Sequence, residues 1–69
     1  MKISKIKIEL MTAQKGLSMK ELADKCDMSR QNLSTIKNRG TCNLKTAFRI
    51  SKALNCDIAD ISEIKDDNT

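Results

Sequence analysis

One arrangement recurs along the chain. A polar residue able to cap a helix has an apolar residue just before it and another four places after it. Ser4 stands between Ile3 and Ile8, Ser18 between Leu17 and Leu22, and Ser29 between Met28 and Leu33. Asn43 stands between Cys42 and Ala47, and Asp57 between Cys56 and Ile61. A side-chain oxygen at such a position accepts an orphan N–H of the first helical turn, and the flanking apolar pair fixes the entry angle of the chain. Ser18-Met19-Lys20-Glu21 also has the spacing of a reciprocal capping box. Five such starts in phase with helical periodicity predict five helices.

The first helix is expected from Lys5 to Lys15, stopping at Gly16, which tolerates the left-handed backbone of a helix C′ position. The second covers Met19 to Cys26, the third Arg30 to Asn38, the fourth Leu44 to Leu54 and a short fifth Ile58 to Ile64. The apolar spacing predicts a core of Ile8, Met11, Leu17, Leu22, Ala23, Cys26, Met28 and Leu33. Ile36, Leu44, Ala47, Ile50, Leu54, Cys56, Ile58 and Ile61 complete it. Residues 1–64 read as one domain, and 65–69 as a polar, frayed C-terminal tail.

Composition narrows the function classes. The chain has 69 residues, 39% of them hydrophobic, with one aromatic, two glycines and no proline. A chain this short buries only about 60% of the surface its unfolded form exposes, so its core is small. It carries no histidine, and its three cysteines are widely spaced with no C-x-x-C pair. No disulfide framework, metal site, cofactor or enzymatic activity is expected from that inventory. No apolar run approaches the ~20 residues of a membrane span, and Met1 to Leu10 alternates lysine with isoleucine where a signal peptide would be continuously apolar. The expectation is a soluble, cytoplasmic protein.

The net charge of +4 is unevenly laid out. No acid occurs between Asp27 and Asp57, while Arg30, Lys37, Arg39, Lys45, Arg49 and Lys52 fall there. A solvated surface ordinarily mixes both signs. A basic middle is the footprint expected of a polyanionic partner.

Between the second and third helices stand only Cys26, Asp27 and Met28, and helices joined by so short a turn cross steeply. Asp27 holds a turn position requiring φ > 0, which aspartate tolerates better than most residues. The stretch "LSMKELADKCDMSRQNLSTIKNRG" resembles the helix-turn-helix core of the phage repressor and Cro-like family (xenobiotic-response-element type) of DNA-binding regulators. "NLKTAFRISKALNCDIADI" resembles that family's fourth and fifth helices. The resemblance implies an all-α, compact five-helix bundle of the lambda-repressor-like type, whose helices two and three form the helix-turn-helix. Two positions depart from the family pattern. Asp27 stands where the turn usually carries glycine. Many members also pair an arginine in helix one with an acid after helix three, and the matching residues here, Thr12 and Lys37, cannot form that pair.

If Leu33 and Ile36 hold helix three down, its polar side chains project from the opposite face into a major groove about 12 Å wide. Arg30 and Gln31 fall at the family's base-reading positions, arginine suiting the O6 and N7 of guanine and glutamine the N6 and N7 of adenine. Asn32 and Thr35 are further base-contact candidates, Thr35 toward a thymine methyl. Ser34 is undecided. Backbone phosphate contacts are expected from Ser18 and Met19 at the start of helix two, from Ser29, Asn38, Arg39 and Asn43, and from Lys45. The bland alternative for each is an ordinary solvated helix surface.

These readings converge on a sequence-specific double-stranded DNA-binding transcriptional regulator, a nucleoid-associated repressor of phage or mobile-element type acting by promoter occupation. One recognition helix reads few base pairs, so a homodimer on a palindromic operator is expected. Ile58, Ile61 and Ile64 offer one dimer surface and Phe48 a second. Two rivals belong to other classes: an antitoxin-like protein-interaction module that retains the fold, and a non-specific or RNA-binding protein. Against the last, Phe48 alone supplies no aromatic set for base stacking.

Overall fold

A computed structural model describes residues 1–63 of the chain. Four α-helices follow in order: α1 (Lys5–Gln14), α2 (Met19–Lys25), α3 (Arg30–Arg39) and α4 (Leu44–Ala53). Each begins at an expected cap. Ser4 Oγ accepts the N–H of Lys7 at 3.2 Å, Ser29 Oγ that of Asn32 at 3.0 Å, and Asn43 Oδ1 that of Thr46 at 2.8 Å. At α2 the box closes both ways: Ser18 Oγ accepts from Glu21 N at 3.1 Å, and Glu21 Oε1 accepts from Ser18 N at 2.8 Å. Asp27 turns the chain between α2 and α3 at φ 60°, and Gly16 and Gly40 end α1 and α3 at φ 70° and 76°.

The fifth helix is not matched. Asp57 is followed by a single 3₁₀ turn, Ile58–Asp60, closed by the N–H of Asp57 donating to Asp60 Oδ2 at 3.1 Å. The backbone leaves the helical path because its hydrogen-bonding groups are taken by the N-terminal residues. Ser4 N donates to Ile61 O at 2.8 Å, Glu63 N donates to Lys2 O at 3.1 Å, and Ile3 bridges Ser62 in antiparallel fashion. On its other edge the same N-terminal segment bridges Thr41 through Lys2, with Ile3 N donating to Gly40 O at 2.9 Å. Lys2 and Ile3 thus form a short extended piece clamped between the α3–α4 loop and residues 61–63, while the rest of the lysine–isoleucine alternation, from Lys5, lies in α1. The expected end of the fifth helix at Ile64 and the tail at 65–69 lie outside the described residues.

The core forms where the spacing places it. Ile8, Leu22, Ala23, Cys26, Leu33, Ile36, Ala47, Ile50, Leu54 and Ile61 are buried, and Met11, Leu17, Met28, Cys56 and Ile58 pack partly buried against them. Leu44 is a correction: it is 57% exposed, because it opens α4 at the margin of the buried stripe with no described element above it. Ile3 is the converse case, 1% exposed and held in the core by the pairing on both sides of it. Ile61 at 0% exposure is a core residue, so it cannot serve as a dimer surface, and Ile58 is half-buried. No described helix is long and apolar enough to cross a membrane.

Candidate nucleic-acid interface

Helix α3 has two unlike faces. Leu33, Ile36 and Lys37 are buried, while Arg30, Gln31, Asn32, Ser34, Thr35, Asn38 and Arg39 are all exposed. The buried positions recur at i, i+3 and i+4, and that spacing turns every expected base-contacting side chain outward. Arg30, Gln31 and Ser34 together line a shallow depression of about 420 Å³. Ser34, undecided from sequence, therefore joins the candidates; its offsets of four from Arg30 and three from Gln31 were the available signal.

Hydrogen bonds already made within the chain limit what each side chain can offer. Thr35 Oγ1 donates to Gln31 O at 3.0 Å, so its proton is used internally and its methyl and a lone pair are left outward. Ser29 Oγ accepts the helix cap but keeps its own hydroxyl hydrogen, which can donate to a phosphate oxygen. Asn43 caps through Oδ1, leaving its amide NH₂ as a donor. At α2 the box occupies the N–H groups of Ser18 and Glu21 and sets the Glu21 carboxylate beside them, so this terminus offers an anion less than its spacing suggested. Ser18 is exposed and Met19 half-buried.

What fixes the far end of α3 is an ion pair that sequence reasoning missed. Lys37 Nζ lies 3.0 Å from Glu9 Oε2, and among the described residues it is the one pair within ion-pair distance. The Lys37 side chain is 7% exposed and that of Glu9 46%. Hydrogen bonding to Lys37, together with its positive charge, holds the Glu9 carboxyl below its ordinary value of 4.5. Thr12, the other departure from the family pattern, is buried and donates to Ile8 O at 2.6 Å. The signal was present: Glu9 and Thr12 share a face of α1, and Lys37 stands one turn beyond Leu33 on the buried stripe.

With Lys37 so occupied, Arg30 and Arg39 on α3 and Lys45 on α4 are exposed, and no described acid lies within ion-pair distance of them. The α3 surface and the start of α4 are each basic and rich in exposed donors. Exposed cations and donors of this kind suit a phosphate backbone. Among the described residues no cluster of metal-ligating side chains occurs.

Comparison with known proteins identifies the family. Residues 7–67 match the family model described as the Cro/C1-type HTH DNA-binding domain. The chain is also similar to an uncharacterized HTH-type transcriptional regulator, YozG, of Bacillus subtilis (strain 168), at 36% identity over 64 residues. That similarity covers 90% of this chain and 76% of the relative. The chain belongs to the family of Cro/C1-type helix-turn-helix DNA-binding domains.

Proposed function

We propose that this protein is a sequence-specific transcriptional regulator that inserts α3 into the major groove of double-stranded DNA and represses by occupying a promoter. The observation that carries the reading is the division of α3. Leu33, Ile36 and Lys37 anchor it, while Arg30, Gln31, Asn32 and Thr35 face solvent as an uninterrupted polar surface. Arg30 reads guanine, Gln31 reads adenine, and Thr35 presents its methyl to thymine. Asn32 and Ser34 contact neighbouring edges or bridging water. Ser29, Asn38, Arg39, Asn43 and Lys45 hold phosphates, with Ser18 and Met19 as a weaker contact on the neighbouring strand.

Promoter occupation needs nothing beyond groove binding, which is why repression is the simplest mode for this surface. The similarity to a protein named as a transcriptional regulator supports the regulatory reading. The phage or mobile-element character rests on the sequence resemblance alone. Two copies on a palindromic operator, with half-sites ~34 Å apart, give the specificity that one helix cannot. Residues 1–64 serve as the single DNA-binding domain.

A second reading has its own observation. Ile6, Leu10, Leu44 and Phe48 are exposed, as a protein-interaction module of antitoxin-like kind would require. Selecting bound sites from a random duplex pool, followed by gel shifts over a salt series, separates the two. A defined, palindromic site with salt-dependent affinity supports the regulator. Equal, negligible retention of all duplexes sinks it in favour of the interaction module.

A further inference from the structure

We propose that the open depression between the end of α2 and the second half of α4 binds a small phosphorylated sugar. This site is separate from the candidate nucleic-acid interface and does not depend on it. The depression has a volume of about 470 Å³ and is lined by Lys25, Cys26, Asp27, Arg49, Lys52 and Ala53. None of them lines the depression of Arg30, Gln31 and Ser34 on α3. Small-molecule sites commonly hold ~300–1,000 Å³, so the space is sufficient.

Three cations from two helices converge there. Lys25 ends α2, while Arg49 and Lys52 stand three residues apart on α4 and so share a face. All three are exposed, and no described acid lies within ion-pair distance of any of them. Lys52 also borders a second depression carrying Asp57 and Asp60, which leaves Lys25 and Arg49 as the stronger pair. The floor is fixed. Cys26 is 1% exposed, and its thiol donates to Arg49 O at 3.8 Å, tying the end of α2 to the stretch of α4 that carries the cations.

The same surroundings choose the ligand. The planar fork of Arg49 and the ammonium of Lys25 suit a phosphate through charge-assisted hydrogen bonds. A concavity this small takes a single anionic group, not a strand of phosphates, and the carboxylate of Asp27 would repel a strand. Helices α2 and α4 both end here, at Lys25 and Ala53, so the carbonyl ends of two helices border the space. Carbonyls and a carboxylate accept from hydroxyls and disfavour a bare anion. No aromatic side chain lines the depression to stack a base. Cys26 and Ala53 offer only a small apolar floor, which fits the C–H face of a sugar. A phosphate with neighbouring hydroxyls matches every group present.

The test titrates isotope-labelled protein with ribose 5-phosphate, inorganic phosphate and unphosphorylated ribose at constant ionic strength, read by amide NMR shifts. Ribose 5-phosphate should shift the amides of Lys25 to Asp27 and of Arg49 to Ala53, saturate at one ligand per chain, and bind more tightly than either comparator. Lys25→Gln and Arg49→Gln, both at exposed positions, should each weaken it about tenfold while melting as wild type does. Asp27→Asn keeps a residue that tolerates φ 60°; it should tighten inorganic phosphate and narrow the preference for the sugar phosphate. Shifts spread equally over Arg30, Arg39 and Lys45, or no preference over inorganic phosphate, overturn the site. So does the absence of shifts at the lining residues. Loss of duplex affinity in Lys25→Gln or Arg49→Gln, with the salt slope reduced by about one unit, also overturns it and makes these residues DNA phosphate contacts.

Discussion

Lys37 of α3 places its ammonium 3.0 Å from the carboxylate of Glu9 on α1, the reverse of the polarity that the family resemblance implies for these two helices. The acid here is on helix one and the cation is on helix three. The pair joins the end of the recognition helix to the scaffold, and it lets a lysine be buried among Leu33 and Ile36. A buried cation stripped of its partner is strongly unfavourable, more so than a helix that never carried the charge. Glu9→Gln should therefore lower the melting temperature at pH 7, and adding Lys37→Met should restore much of the loss. Thermal melts of the two single variants and the double variant decide it; strict additivity would mean that the pair is not coupled.

The same pair sets an acid dependence. Because Lys37 depresses the Glu9 carboxyl below 4.5, the folded state binds that proton less readily than the unfolded chain. The contribution is complete above the unfolded value and fades as pH falls through the folded one. Wild type and Glu9→Gln should differ in stability at pH 7, and the difference should shrink as pH falls below 4.5. A gap that persists to pH 2 would rule out charge as its source.

Cys26 gives the opposite sign. Burial pushes its thiol up from 9.0 to about 11, so the folded state holds that proton more tightly than the unfolded chain does. Its stabilising contribution is present below pH 9 and is lost as pH rises toward 11. Thiolate is the reactive form, so Cys26 should be the slowest of the three cysteines to alkylate in the native protein at pH 8. Site-resolved mass spectrometry after timed labelling checks this; early modification of Cys26 would place it at the surface.

Asp27 sits at φ 60° where the family usually carries glycine. A left-handed backbone costs an ordinary L-residue about 1–2 kcal/mol, and glycine gives back part of that relief through its looser unfolded chain. Asp27→Gly should raise stability by about 0.5–1 kcal/mol, while Asp27→Val should lower it. Urea titration reads both. A destabilising glycine would indicate that the aspartate side chain itself supports the turn.

Local signals carried most of the fold. Cap, staple and apolar spacing are written within five or six consecutive residues, and the starts of α1 to α4 follow from them directly. What they could not carry was pairing between distant segments. The helix expected from Ile58 gave way, over the described residues 58–63, to bonds with Lys2 and Ser4 from the opposite end of the chain. Ile3 is buried for the same reason. Leu44 satisfies the apolar spacing but lies where no described element covers it, which periodicity cannot register. For the candidate interface, the outward set on α3 followed from the anchoring pair Leu33 and Ile36. The internal bonds that narrow Thr35 and the start of α2 required three dimensions.

The central claim is that the Arg30–Gln31 end of α3 touches base edges and not only phosphates. Its most direct measurement is the affinity of wild type and Arg30→Ala for the selected operator and for every single-base-pair variant of it, with Lys45→Ala alongside over a salt series. Arg30→Ala should lose about 1–3 kcal/mol on the operator and become indifferent at one base pair while keeping the preferences elsewhere. Lys45→Ala should weaken all sequences alike and flatten the salt slope by about one unit. An Arg30→Ala protein that weakens uniformly, with every base preference preserved, would contradict the assignment and make Arg30 a phosphate contact.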